Sequence, residues 1–398
     1  MLTGKTIVLG VTGSIAAYKT AMLASMLVKQ HAEVHVIMTR NATNFIAPMT
    51  FETLTGNKCI VDTFDRNFDF EVKHVSLAKK ADLILVAPCT ANVIGKMAGG
   101  ICDDMLTTTL CATKAKILIA PAMNTGMWEN PIVQDNISKL QKYGCHVITP
   151  VVGRLACGDT GSGKMPEPEV LMEHILLQAA REKTLLGKRV LISAGPTQEA
   201  IDPVRYITNH SSGKMGYALA KMAAVKGADV TLVSGPVSIK AFSGIDVVSV
   251  KSAQDMYEAV TSRSAEADII IMCSAVADYT PAEYHDQKVK KKDEDMSIPL
   301  KRTQDILKYL GEHKRDGQML IGFSMETENL MENSRKKLTK KNADIICANS
   351  VSENKTGFAV DTNQVTLITL EEVKELPLCS KEETAEMILD YAYTYRHR

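Results

Sequence analysis

Two stretches, LTGKTIVLGVTGS (residues 2–14) and LLGKRVLISAGPT (residues 185–197), carry one plan: a Gly-Lys turn, a continuous apolar run, then a glycine-bearing loop ahead of a helix-length segment. A run that is apolar at every position, rather than every second one, is covered on both faces, as the strands of a parallel sheet are. Each stretch opens a series in which such runs alternate with amphipathic segments. With the first belong EVHVIMT (33–39), ADLILVAP (81–88), KILIAP (116–121) and CHVITP (145–150), with IAAYKTAMLASMLVKQ (15–30) and DDMLTTTLCATK (103–114) among them. With the second belong ADVTLVSGP (228–236), ADIIIMCSAVAD (267–278), QMLIGFS (318–324) and ADIICAN (343–349), and KEETAEMILDYAYTYR (381–396) closes the series. This alternation predicts an α/β fold of two tandem doubly wound, mostly parallel-sheet (Rossmann-like) domains. The break follows the helical EVLMEHILLQAAREK (169–183), giving domains 1–185 and 186–398.

Composition narrows the function classes. A chain of 398 residues exceeds one ordinary core. Lys plus Arg and Asp plus Glu number 46 each, so no global field draws nucleic acid or an anionic membrane, and anionic ligands need local clusters. Nine cysteines show no CxxC or paired-histidine spacing, so neither a zinc site nor a disulfide framework is indicated. With twenty methionines they fit a reducing, cytoplasmic location. The opening segment lacks a signal-peptide layout, and no apolar run approaches the roughly 20 residues of a membrane span.

Doubly wound sheets bind ligands at strand carboxyl ends, often with phosphate at a helix N-terminus. A nicotinamide dinucleotide is disfavoured. Neither opening loop reads G-x-G-x-x-G, and the second strands end in Thr39-Arg40 and Ser234, where a ribose-binding acid is wanted. PAMNTGMWENP (121–131) holds the only tryptophan and follows a buried run; its residues suit either a turn with core filler or a ligand wall.

Four segments at predicted strand ends carry a resemblance: GVTGSIAAYK (10–19), MTRNATNFI (38–46), APCTANVIGKMAGGICDDMLTTTL (87–110) and PAMNTGMW (121–128). In order and spacing they resemble the homo-oligomeric flavin-containing cysteine decarboxylases. GRLACGDTGSGKMPEP (153–168) resembles the substrate clamp of phosphopantothenoylcysteine decarboxylase. With the second half added, the chain resembles the bacterial bifunctional decarboxylase/phosphopantothenate–cysteine ligase family over nearly its whole length.

For domain 1–185 the resemblance implies FMN, contacted by Gly13, Ser14, Ile15, Thr39, Thr90, Ala91 and Asn92. A simple carboxylate does not lose CO2, because the carbanion left behind has nowhere to put its charge. Oxidising the neighbouring thiol to a thioaldehyde supplies an electron sink, and a flavin can take and return the hydride. The resemblance makes His74 the residue that assists a thiol only about 3% ionised at pH 7. It makes Asn124 the neutral grip on the departing carboxylate, where an ammonium group would favour the anionic ground state. Met123, Met127 and Trp128 become substrate wall, and Cys157 a proton donor on a closing flap.

For domain 186–398 it implies a CTP-dependent ligase joining 4′-phosphopantothenate to cysteine through an acyl-cytidylate. SSGKMG (211–216) looks like a phosphate-binding helix entry without being a Walker A motif. Asn209 is matched to the acyl intermediate, with helix capping as the competing reading, and Phe323 to the base; Asp278, a lone carboxylate after a buried run, suits a ribose hydroxyl or a magnesium ion (Mg2+). Lys288, Lys290 and Lys291, in a segment that alone would read as a solvated charge run, are matched to the triphosphate, as are Lys337 and Lys341. The family further implies a homo-oligomer of decarboxylase trimers and ligase dimers, combinable into a dodecamer. The rival expectation is a flavin-binding regulatory protein without catalysis, disfavoured by His74, Asn124 and Cys157 standing together.

Overall fold

Thr6–Val11, buried at every position, is the strand around which the first unit forms. The protein is described from a computed structural model covering residues 1–63, 73–154, 158, 160–290, 297–326, 330–350 and 361–396. It divides into two units, Met1–Glu182 and Lys183–Arg398. In chain order the first unit runs β1 (Thr6–Val11), α1 (Ala17–Lys29), β2 (Glu33–Met38), α2 (Pro48–Thr55), α3 (Lys73–Lys80), β3 (Leu83–Cys89), α4 (Ala91–Gly99) and α5 (Met105–Ala112). It continues with β4 (Lys116–Pro121), α6 (Thr125–Trp128), α7 (Pro131–Lys142), β5 (His146–Val147), the hairpin β6 (Val151–Arg154) and β7 (Thr160–Lys164), and α8 (Pro168–Ala179). The sheet is wholly parallel, in the order β2-β1-β3-β4-β5.

Alternation decides which helix covers which face. Val8, Ile84 and Val86 point into one cluster with Val93 and Ile94 of α4, Leu106 of α5 and Ile137 of α7. α1 buries Ala17, Thr20, Leu23, Ala24 and Leu27 at helical spacing and packs with α8 instead. The helix starts have local causes. Thr90 caps α4, and Asp104 closes a capping box with Thr107 on α5, worth about 1 kcal/mol. Asp103 pairs with Lys96 at 2.7 Å.

The second unit repeats the plan on a larger sheet. It contains β8 (Arg189–Ala194), the hairpin β9 (Gln198–Ala200) and β10 (Tyr206–Thr208), α9 (Lys214–Val225), β11 (Asp229–Ser234), β12 (Ile245–Ser249), α10 (Ala253–Ser264) and β13 (Ile269–Met272). Then follow β14 (Tyr279–Pro281), β15 (Leu300–Arg302), α11 (Ile306–Glu312), β16 (Met319–Glu326), α12 (Leu330–Lys340) and β17 (Ile345–Ser350). Strands β12-β11-β8-β13-β16-β17 are parallel, and Val365–Ile368 and Val373–Glu375 extend the sheet antiparallel. The last helix, α13 (Lys381–Arg396), packs against α9. The sheets are the two doubly wound ones expected. The antiparallel edge and the β9–β10 hairpin were not.

One half-buried pair gives the first unit a pH response. His146 and His174, on β5 and α8, approach to 3.0 Å between Nε2 and Nδ1. Burial pushes both imidazoles below the usual histidine range, His174 to about 4. A base with a depressed pKa binds its proton more readily in the unfolded chain, so its contribution is full above about 6.5 and lost as pH falls towards 4. His174→Gln removes the larger of the two shifts. The fall in melting temperature between pH 7 and pH 4.5 is expected to be about 2–4 °C smaller in the variant, measured by thermal denaturation.

Candidate functional site

In the first unit the strand order turns between β1 and β3, which opens space beyond their carboxyl ends. A cavity of about 570 Å3 lies there, lined by Gly13 and Ser14 after β1, Thr39 after β2, and Thr90, Ala91 and Asn92 at the start of α4. A side chain at position 13 would meet the Asn41 Cβ at 2.8 Å, so only glycine leaves this wall in place. Thr39 is buried, and its Oγ1 has no hydrogen-bond partner. A buried unpaired hydroxyl is costly, and a polar ligand in this cavity would satisfy it. Asn41 and Lys96 line the same cavity and were missed, and Asp104, the cap of α5, lines it too. The one signal for Asn41 was its place just past a buried strand.

A second cavity of about 580 Å3 shares Ser14, Ala122 and Met123 with the first. Ile15, Tyr18, Asn124 and, from the hairpin β6–β7, Arg154 and Lys164 complete it. The hairpin is held against PAMNTGMW: Met123 N–H donates to the Gly163 carbonyl at 3.1 Å and Thr125 Oγ1 to that of Ser162 at 3.0 Å. Gly163 has φ +116°, and a Cβ there would stand 2.3 Å from the Met123 carbonyl oxygen. Asn124 Oδ1 accepts the Met127 N–H at 2.8 Å, capping α6. That bond fixes the amide so that Nδ2 is the donor left for a ligand.

The remaining expected residues are placed unevenly. Met127 lines the first cavity. Trp128 lines neither; it packs with Met123 on the core cluster under α4 and α7, so core filler describes its position better than ligand wall. Ile15 lines only the second cavity. His74 is half-buried in the first turn of α3 and lines neither cavity. Cys157 lies outside the described residues.

The second unit turns between β8 and β13, and their ends are stitched where Ser193 Oγ meets Ser274 Oγ at 2.8 Å. A cavity of about 680 Å3 beyond them is lined by Asp278, Phe323, Lys337 and Lys341. Phe323 stands inside β16, which runs on to Glu326, and β13 ends at Met272, so Asp278 belongs to the loop after it. Lys337 Nζ donates to the Phe323 carbonyl at 2.9 Å, and Lys341 pairs with Asp305. Burial raises the Asp305 carboxyl, but the Lys341 contact and the α11 N–H it caps bring it below the usual carboxylate range. Arg302, Asp305 and Lys308 also line this cavity and were missed, although an aspartate before an apolar helical pattern was a legible cap.

An adjoining space of about 200 Å3 shares Ser274 and Phe323 with it. The α9 entry Ser211–Gly216 forms one wall, and Asn349, buried with Oδ1 unpartnered, faces it with Lys381. Asn209 does not cap α9, whose N-cap is Gly213. Its Nδ2 donates to the Ala275 and Val276 carbonyls at 3.2 and 3.3 Å, at the rim of the two spaces. Lys288 and Lys290 are exposed and line neither, and Lys291 lies outside the described residues. Among the described residues no group of three His, Cys, Asp or Glu side chains could hold a metal, and no helix is long and apolar enough to cross a membrane.

Comparison with known proteins covers both units. Residues 1–179 match the flavoprotein family model, and residues 185–395 that of the DNA/pantothenate metabolism flavoprotein C-terminal domain. The chain is 49% identical over 393 residues to the coenzyme A biosynthesis bifunctional protein CoaBC of Bacillus subtilis (strain 168), covering 98% of this chain and 97% of the relative. It is 45% identical over 395 residues to the protein of the same name from Vibrio vulnificus (strain YJ016), covering 99% and 98%. The crystal structure of the C-terminal domain of a CoaBC protein is 46% identical, with a TM-score of 0.47, covering 54% of this chain and 97% of that one.

Thr39 offers a test of whether the first cavity is a flavin site. Thr39→Val keeps the shape and deletes the unpartnered hydroxyl. The flavin-free protein is expected to melt no lower than wild type, while flavin affinity falls about tenfold, the size of one lost hydrogen bond. Fluorescence titration and thermal denaturation of the stripped protein check both.

Proposed function

The chain belongs to the bifunctional coenzyme A biosynthesis family, and we propose from that premise how its two halves divide the work. It is an enzyme with a flavoprotein decarboxylase domain and a ligase domain. Residues 186–398 join 4′-phosphopantothenate to cysteine at the expense of CTP, and residues 1–185 decarboxylate the product to 4′-phosphopantetheine. The observation that carries this division is that each unit has its own cavity at its own strand-order reversal, one with a glycine cradle and an unsatisfied threonine, the other walled by lysines.

Gly13, Thr39 and the α4 entry fit FMN in chemistry: a wall without side chain, a waiting hydroxyl and a helix start. When bound there, the flavin supplies a two-electron acceptor that turns the substrate thiol into an electron sink. The protein's own task is placement. Met123, common to both cavities, puts substrate and cofactor on either side of one residue. Asn124 Nδ2 orients the carboxylate without the charge that would stabilise it against leaving. His74 and Cys157 serve as proton carriers in this reading.

In the second unit a phosphopantothenate carboxylate oxygen attacks the α-phosphorus of CTP and pyrophosphate leaves. The cysteine amine then attacks the acyl carbon and CMP leaves. A nucleoside triphosphate brings about four negative charges, and Arg302, Lys308, Lys337 and Lys341 stand around the cavity that would receive them. With Nδ2 bound to two carbonyls, Asn209 presents Oδ1 as an acceptor at the rim. Asp278 as a single carboxylate suits Mg2+, which keeps its waters and binds through one or two carboxylates plus substrate phosphates. A cytoplasmic homo-oligomer completes the proposal.

Purified protein is expected to be yellow and to release pyrophosphate from CTP only with phosphopantothenate present; release without it, or a colourless protein that binds NADPH, would sink the reading. His74→Asn is expected to abolish CO2 release while ligation stays within about twofold of wild type. Equal loss of both in folded protein contradicts separate sites. Cys157→Ser is expected to stall after CO2 loss, and normal formation of product would make that thiol incidental.

A further inference from the structure

The buried carboxylate of Asp202 has no task in the reading above. Its Oδ1 accepts the N–H groups of Val204 and Arg205 at 2.9 and 2.8 Å. Its Oδ2 accepts Arg205 Nε at 3.0 Å, Arg205 Nη2 at 2.5 Å and the N–H of Val289 at 3.1 Å. Arg205 Nη2 also donates to the Val289 carbonyl at 2.9 Å. The two side chains therefore hold residue 289 by both its backbone groups. Four residues earlier, His285 N–H donates to the Ile201 carbonyl at 3.1 Å. Val289 sits between Lys288 and Lys290, whose exposed side chains flank the gripped residue.

The gripping loop is itself rigidly placed. It joins β9 to β10, and Ile201 N–H closes it on the Arg205 carbonyl at 2.9 Å. Glu199 of β9, 3% exposed, accepts the Ala253 N–H at the start of α10 at 2.8 Å. Thr208 of β10 donates through Oγ1 to the Thr197 carbonyl at 2.7 Å. The next residue is Asn209. One hairpin thus sets both Asn209 at the cavity rim and the lysine-bearing segment.

We infer that Asp202, acting through Arg205 and the backbone of Val289, is a positioning residue for ligation, holding Lys288 and Lys290 in a fixed frame with Asn209 for the triphosphate. The inference rests on the second unit being the ligase. A lysine loop left loose would lose backbone entropy each time it closed on phosphate; a loop held at Val289 has lost it already, while its long side chains keep their reach. A carboxylate is the group for this task. It alone can accept all five donors, whereas asparagine would turn an N–H group towards two of them.

The test uses the full-length protein and pyrophosphate release from CTP with phosphopantothenate and cysteine. Asp202→Asn is expected to lower kcat/KM for CTP about 100-fold, the scale of a 1 Å misplacement, with the KM for cysteine unchanged. Lys288→Gln/Lys290→Gln should lose a similar factor, and adding Asp202→Asn to that variant should cost less than about threefold more, because the segment it positions is already disabled. Independent, multiplying losses overturn the inference, as does an unimpaired Asp202→Asn. Should Asp202→Asn melt below the assay temperature, Val289→Pro decides: it removes the N–H that Asp202 accepts and leaves the Asp202 carboxylate and Arg205 in place, must reproduce the loss, and overturns the inference if it turns over normally. Trypsin separates this from the ligase reading. Cleavage after Lys288 and Lys290 should be slow in wild type and fast in Asp202→Asn; equal rates reject the clamp. Wild type that releases no pyrophosphate at all rejects the ligase reading instead, and the trypsin rates then judge the clamp alone.

Discussion

Two neighbouring parallel strands whose connections leave in opposite directions cannot fill the space beyond their carboxyl ends. This chain meets that constraint twice, between β1 and β3 and between β8 and β13. Each gap is bordered by backbone that has left one regular element and not yet entered the next. Small residues and hydroxyls collect there because they let the chain turn and can satisfy its N–H groups. Thr12 shows the economy of the arrangement: its Oγ1 donates to the Pro88 carbonyl and accepts the Thr90 N–H, tying the ends of β1 and β3 across the gap. Ser193 does the same between β8 and β13 by accepting the N–H groups of Cys273 and Ser274. With the strand ends fixed, whatever lines the gap is fixed with them.

The strand ends were legible in the sequence because burial on both faces writes an unbroken apolar run, and TIVLGV and VLISA could hardly be anything else. Loops after them were legible as places, less so as roles. Thr39 was named through the family resemblance, and nothing in MTRNATNFI announced that its hydroxyl would be left without a partner. Trp128 admits core filler or ligand wall from the sequence alone. An isolated tryptophan beside Asn124 looks like a ligand wall, yet its short helix turns it onto the same cluster that Ile94 and Ile137 fill. The β9–β10 hairpin was invisible because its strands are three residues each and its hold on Val289 spans 87 positions of sequence. Hydrophobic periodicity carries no record of a buried carboxylate gripping a distant backbone.

Charge is handled locally in a chain whose total is zero. Lys341 rests on Asp305, Lys214 on Asp361 at 2.6 Å and Lys96 on Asp103 and Asp104, each beside a cavity. Such pairs add little to stability when exposed, and Asp361 is 87% exposed. Their value lies elsewhere. A lysine already drawn to a carboxylate at the cavity mouth has lost part of its rotamer entropy and can exchange that partner for a phosphate of higher charge.

That exchange separates two kinds of ionic contact in the second unit. Asp305 and Asp361 each hydrogen-bond a flexible ammonium group, Lys341 and Lys214, and can release it when a stronger anion arrives. Asp202 cannot yield in this way, since five donors converge on a buried carboxylate and two of them belong to the rigid fork of Arg205. A polyanion arriving among these lysines would therefore meet groups that move and a backbone that does not. For a reaction in which charge shifts from an intact triphosphate to departing pyrophosphate, that is the useful division: side chains follow the charge while the frame that aims them stays where it was.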